Sequence, residues 1–235
     1  MSMYTYALVL ICTVIVCFSA SYHRRLRFDR YFIPYLLAAG IVAIPFILWD
    51  IWFTVRGVWW FNLEYTLGYT LLALPVEEWM FFFCIPFSCT FTYYCIDKYY
   101  ALKGAEGFNN MLVYAGTVAG TLVALFNFQH IYTLMTAVSL VFTLIVLHGA
   151  LKENWIAKAT LVYILLLLGF FPVNGVLTGT GLDAPVVNYN PSDFMGRRMG
   201  TIPVEDLFYG YVQFLWVIYF FTKFRIVQDA KGSEN

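Results

Sequence analysis

The chain has 235 residues, 61% of them hydrophobic and 12% charged, with a mean hydropathy of +0.72. A soluble domain of this length cannot hide that much apolar surface, whereas a bilayer solvates it. Lysines and arginines number 14 and acidic residues 14, with no basic stripe, so nucleic acid is excluded as a partner and membrane lipid is the expected surround.

Crossing a bilayer takes about 20 mostly apolar residues. Seven such stretches predict an all-α integral membrane protein, with spans over residues 3–21, 31–49, 70–95, 111–127, 130–151, 156–177 and 201–222. The first, within "MSMYTYALVLICTVIVCFSA", has no positive region ahead of it, and its basic residues follow in "HRRLR". That order predicts a retained helix with its N-terminus outside, not a cleaved leader. The fourth is the shortest, cut off by the tight turn "NFQH" at 127–130.

With seven spans, Arg24, Arg25, Arg27, Arg30, Lys98, Lys103, Lys152, Lys158, Lys223, Arg225 and Lys231 fall on one side, against Arg56, Arg197 and Arg198 on the other. By the positive-inside rule the C-terminus is then cytoplasmic, in a multi-pass protein of the cell (inner) membrane. The five cysteines lie in apolar stretches without metal-ligand spacing, so no metal site is expected.

Two longer loops, 50–69 and 178–200, lie on the extracytoplasmic side, and each runs into an acidic motif: "LPVEEWMFFF" at 74–83 and "IPVEDLFYGY" at 202–211. A shift of 128 residues lays Asn62 on Asn190, Gly68 on Gly196, Pro75 on Pro203, Glu77 on Glu205 and Glu78 on Asp206; Pro45 and Pro172 align within one residue of it. The chain therefore reads as two parallel three-helix repeats, 1–110 and 130–235, joined by a connecting helix over 111–129. The acids of both repeats are expected to meet at one pseudo-symmetric site.

Ten of the fourteen acidic residues sit in loops, at helix ends or in the tail; Glu77, Glu78, Glu205 and Asp206 do not. An Asp at a membrane helix centre costs roughly 2.5–3.5 kcal/mol, and less near the interface. A helix cap needs one acid, worth about 0.3–1 kcal/mol against the dipole; adjacent acids repeated in register exceed that need. Neighbouring helix positions point about 100° apart, so one acid of each pair faces a reaction and the other orients or relays. Clustered carboxyls in apolar surroundings favour holding a proton, as acid catalysis requires. Trp79, Phe82, Phe208 and Tyr209 beside the motifs are candidates for lining a substrate, since aromatic faces stabilise cations. Arg197 and Arg198 have no counterpart in the first half, and one of them is a candidate charge partner for Glu205 or Asp206. His130 reads as interfacial.

"PVEE" and "PVED", each heading an apolar helix, resemble the Pro-x-Glu-Glu/Asp pattern of the heterodimeric lycopene cyclases of bacteria, archaea and fungi. "WWFNLEYTLGYTLLALPVEEWMFFF" is similar to the family's first half and "NYNPSDFMGRRMGTIPVEDLFYGY" to its second, as a single-chain fusion of the two. The resemblance implies a lycopene β-cyclase that converts acyclic ends to β-rings without net redox change. It makes Glu77, Glu78, Glu205 and Asp206 the acid/base candidates and Asn62 and Asn190 groups that orient them and the substrate. It implies no cofactor, a carotenoid substrate, and contact with other membrane enzymes of the carotenoid pathway. "GTGLDA" at 179–184 has dinucleotide-site spacing but no strand before it, and reads as a loop. Two alternatives stand beside this reading. A rhodopsin-like protein needs a lysine inside helix 7, and 201–222 has none. A proton-coupled transporter would use the acids as a relay.

Overall fold

The computed structural model describes residues 3–100 and 107–233; Lys103, Glu106 and Glu234 lie outside the described residues. Helices occupy all seven expected places: α1 (Thr5–Ser21), α2 (Phe32–Arg56), α3 (Val76–Tyr99), α4 (Asn109–Phe126), α5 (Ile131–Leu144, continued by a π-helical turn Ile145–Ala150), α6 (Ile156–Leu177) and α7 (Val204–Ser233). Among the described residues five segments are long and apolar enough to cross a membrane: Phe28–Arg56, Val76–Tyr99, Asn109–Phe126, Ile131–Ala150 and Ile156–Leu177. At 17 residues α1 is apolar but shorter. The 30 residues of α7 are diluted by Glu205, Asp206, Gln213 and a polar end.

The third and seventh helices begin later than the hydropathy predicts. Thr70–Leu71 (β2) pairs with Leu74–Pro75 (β3), and Arg198–Met199 (β5) pairs with Ile202–Pro203 (β6), so hairpins occupy 70–75 and 198–203. Pro75, at φ −58°, is the residue from which α3 opens. A proline has no N–H to offer the preceding turn, and its fixed φ suits a helix start. Past the apolar run α7 continues to Ser233, held by Gln228 Nε2 donating to the Arg30 carbonyl at 2.7 Å.

Trp59–Phe61 (β1) and Val187–Tyr189 (β4) form an antiparallel ladder pairing Trp59 with Tyr189, Trp60 with Asn188 and Phe61 with Val187. Exchanging each residue with the one 128 positions away maps this ladder onto itself. The backbone bonds around it behave alike: Asn62 N–H to Val186 O and Asn190 N–H to Val58 O are both 2.8 Å. Val76 N–H reaches Tyr69 O at 2.9 Å, and Val204 N–H reaches Arg197 O at 3.1 Å.

Upstream the displacement changes. Val58 N–H bonds Phe53 O while Val186 N–H bonds Leu177 O, so the helix ends correspond at 124 residues. The second loop carries four more residues. Pro45 and Pro172 are consequently not equivalents, contrary to the sequence alignment. Position 45 corresponds to Gly169, and Pro172 stands about one turn further along its helix.

At the end opposite the motifs the basic residues gather. Lys158 and Arg225 both pair with Asp97, and Lys223 pairs with Glu153 at 2.7 Å. Beneath them Phe28 packs on Phe87, Phe91, Tyr94 and Phe221 with centroids 5.1–5.7 Å apart.

Candidate active site

The four acids fall in the first turns of α3 and α7, and all are buried. None caps its own helix; their bonds go to other elements. Glu77 Oε1 accepts from Leu67 N–H at 2.6 Å. In the same way Glu205 Oε1 accepts from Met195 N–H at 2.9 Å and from Thr133 Oγ1 at 2.5 Å. Each therefore ties down the loop ten residues ahead of it, and each leaves a buried Oε2 without a bond among the described residues.

Glu78 and Asp206, about 100° further round their helices, face inward instead. Tyr6 Oη, from the first turns of α1, donates to Glu78 Oε2 at 2.5 Å, and Tyr132 Oη, from the first turn of α5, donates to Asp206 Oδ1 at 2.6 Å. Asp206 Oδ2 also accepts from Asn174 Nδ2 at 2.8 Å and from Tyr189 Oη at 2.7 Å. In the first half the place of Asn174 is taken by Asp50, a buried residue of α2 whose carboxyl is set against that of Glu78. Glu78 thus faces a tyrosine and a second acid, whereas Asp206 is held by three neutral donors.

Tyr189 lies in β4, outside the helices. Its burial and the nearby Asp206 hold the phenol well above its ordinary titration range, and Arg198 pulls weakly the other way. It stays a hydroxyl donor to Asp206 throughout the neutral range.

These groups head a cavity of about 410 Å³. Its lining on α3 runs from Glu78 to Thr92, about 21 Å of helix. The cavity is a long slot with the acids at one end. Around that end stand the rings of Trp59, Tyr132, Tyr189 and Tyr209; Trp59 lies 5.1 Å from Tyr132 and 6.2 Å from Tyr209. Along the slot the walls are mostly apolar, with Phe81, Ile85, Leu166 and Phe170 among them.

The structure sorts the residues singled out in the sequence. Glu78, Asp206 and Tyr209 line the cavity; Glu77 and Glu205 stand behind it. Phe82 is buried in the core, Phe208 is exposed, and Trp79 donates its indole N–H to Leu71 O at 3.2 Å, so these three do not line it. Asn62 and Asn190 do not orient the acids. Their side-chain oxygens accept from the backbone of Glu64 (3.1 Å) and Ser192 (3.3 Å), bonds that shape two equivalent turns.

Neither Arg197 nor Arg198 pairs with Glu205 or Asp206 among the described residues. Arg197 is exposed, while Arg198 donates to Thr201 O at 2.5 Å and covers the Tyr189 ring at 5.5 Å. His130 meets Ser192 O at 2.9 Å, away from the acids. The sequence does not single out Tyr6, Tyr132, Asn174 and Tyr189, and Asp50 reads there as one of the loop and helix-end acids. A signal existed for two of them, since Tyr6 and Tyr132 sit at matching places in the first turns of α1 and α5.

A model of the family described as lycopene cyclase matches residues 3–96 and matches again over 129–224. The chain belongs to the lycopene cyclase family. No curated protein and no solved structure matches it. A lycopene cyclase is a membrane-associated enzyme with a carotenoid substrate, and the two matched segments each contain one acidic motif, in a two-half single chain. The slot is elongated and mostly apolar, and it ends in buried carboxyls from both matched segments.

Proposed function

We propose that the protein is a lycopene β-cyclase that closes the acyclic ends of lycopene by general acid–base catalysis, giving γ- and β-carotene. The observation that carries this reading is the meeting of Glu78 and Asp206, one from each half, at the head of one apolar slot. It is a multi-pass protein of the cell membrane in this reading, with seven spans in two parallel repeats. Its motif end faces outside, and its basic end and C-terminus face the cytoplasm.

A proton added to the terminal carbon–carbon double bond leaves a tertiary cation. The next reachable double bond of the same chain supplies its electron pair, the ring carbon–carbon bond forms, and the cation moves into the ring. Loss of a proton from the newly joined ring carbon gives the β-ring alkene. One proton enters and one leaves, so the product is an isomer of the substrate.

Glu78 is the donor in this scheme. Two carboxyls set against each other away from water hold a proton between them, so the Glu78–Asp50 pair carries the acid. Asp206 is the acceptor, because three committed donors favour its ionised form. Trp59, Tyr132, Tyr189 and Tyr209 shield the cation, each ring worth about 0.5–2 kcal/mol. Glu77 and Glu205 fix the loops that carry this frame.

Expression in a lycopene-making host tests the reading. Cyclic carotenoids of unchanged mass are the expected products; unaltered lycopene, with the protein inserted and folded, would overturn it.

A further inference from the structure

The pseudo-symmetry of the two halves is also broken in the packing of their helices. Under the exchange, the contact of α2 with α7 corresponds to that of α6 with α3. The first is extensive and the second is sparse. The side chains explain the difference. Ala38, Ala39, Val42 and Ala43 of α2 are small and buried, and small residues let membrane helices approach closely. Phe46 and Trp49 complete the seal against Tyr209 at 5.0 and 5.1 Å. At the equivalent places α6 carries the larger Val162, Tyr163, Leu166 and Leu167, and Tyr163 is turned to α7, donating to Leu207 O at 2.7 Å and packing on Tyr211 and Phe214.

The slot lies in the gap this leaves. Its mouth is framed by Thr13 and Cys17 of α1, Ile85 of α3 and Gly169, Phe170 and Pro172 of α6. Gly169 and Pro172 line the cavity and are also exposed on the outer face of the bundle. A Cβ built on Gly169 meets no atom within 4 Å. The opening faces the surface that hydrocarbon would cover, not the acidic end.

We propose that this gap along α6 is the entry for substrate: one acyclic carotenoid end slides in from the bilayer between α6 and the α1–α3 pair. The rest of the polyene stays in lipid, since an extended carotenoid is about as long as the hydrocarbon core, about 30 Å, and outreaches the slot. The matching route between α2 and α7 is shut. Both halves then serve one ring closure at a time, and a carotenoid whose second end is to be closed must leave and re-enter reversed. This rests on the lycopene cyclase reading of the site.

The test places a side chain in the mouth. Gly169→Phe introduces no Cβ clash and replaces a poor helix former, so the helix should be preserved. With wild type, Gly169→Phe and Leu168→Phe in lipid nanodiscs, lycopene binding is read by quenching of tryptophan emission and turnover by pigment analysis. Gly169→Phe should lose both binding and turnover by about tenfold or more, as for a misplaced substrate, while keeping the wild-type melting temperature. Leu168, 75% exposed and outside the cavity lining, should tolerate phenylalanine. Wild-type binding and turnover in a folded Gly169→Phe protein would overturn the entry route. A wild type that binds lycopene through this mouth yet never cyclises it would instead overturn the reaction. In a pulse of labelled lycopene followed by unlabelled excess, label should stop at the one-ring product. Label passing undiluted into a two-ring product would overturn the single entry.

Discussion

Asp50 on α2 and Asn174 on α6 stand at equivalent places in the two halves, each against the second acid of its motif. An amide there donates a hydrogen bond to Asp206 at 2.8 Å, whereas a carboxyl there can only share a proton with Glu78 or repel it. The acids thus differ in chemistry although the backbone around them repeats. Asp50→Asn makes the first half resemble the second: the new amide would hold Glu78 as an ion and remove the shared proton. Turnover should fall by about 10²-fold or more, the lower range for loss of an acid group, with the fold retained. A near-normal rate in the asparagine variant would mean that Asp50 has no part in proton donation. Pigment yield per inserted protein measures it.

The two acids of each motif should respond differently to substitution. Glu78→Gln keeps shape and removes the transferable proton, and Asp206→Asn keeps shape and removes the basic oxygen that takes one up, so each should lower turnover by about 10²–10⁴-fold with little change in melting temperature. Glu77→Gln and Glu205→Gln keep the oxygen that accepts from Leu67 and Met195 and should be far milder. Glu77→Ala takes the acceptor of the Leu67 N–H and Glu205→Ala takes the acceptor of the buried Thr133 hydroxyl, while Met195 N–H keeps Thr133 Oγ1; each should cost about 1–3 kcal/mol of stability. Equal catalytic loss in all four amide variants would place Glu77 and Glu205 in the chemistry as well.

This division was only half legible in the sequence. The motifs, their spacing and the apolar runs could be read directly, because hydropathy and a duplicated pattern are local signals. That one acid of each pair turns away also follows from helix geometry, but which one depends on packing. Asp50 looked like a helix-end acid because nothing nearby in sequence marks its neighbour, 28 residues on, as Glu78. Asn174 was hidden by the four extra residues of the second loop, which shift the helix correspondence to 124 and brought the wrong prolines into line. Asn62 and Asn190 misled because a turn needs an asparagine in both halves as much as a site would.

Separate fragments 1–110 and 111–235 should each be inactive. Glu78 and Asp206 come from different fragments, and the β1–β4 ladder pairs Trp59 with Tyr189 across the division. Co-expression should restore activity if the ladder and the α2–α7 contact reassemble. Lycopene cyclised by one fragment alone would contradict a shared site.

The last prediction follows the proton itself. Carboxyl protons exchange with water, so in deuterated water the Glu78–Asp50 pair carries deuterium before each turnover. The deuteron transferred to the terminal double bond ends on the ring carbon next to the dimethyl-bearing one, where no later step removes it. The proton lost at the end comes from a different carbon, the newly joined one, and passes to Asp206. Each ring closed should therefore hold one solvent deuteron at that position, read by mass spectrometry and by the missing proton signal in NMR. A slower rate in deuterated water would accompany it if the transfer limits turnover. Product free of solvent deuterium would mean that the entering proton is recycled within the substrate and does not come from an exchangeable carboxyl, and the donor role of Glu78 would fall.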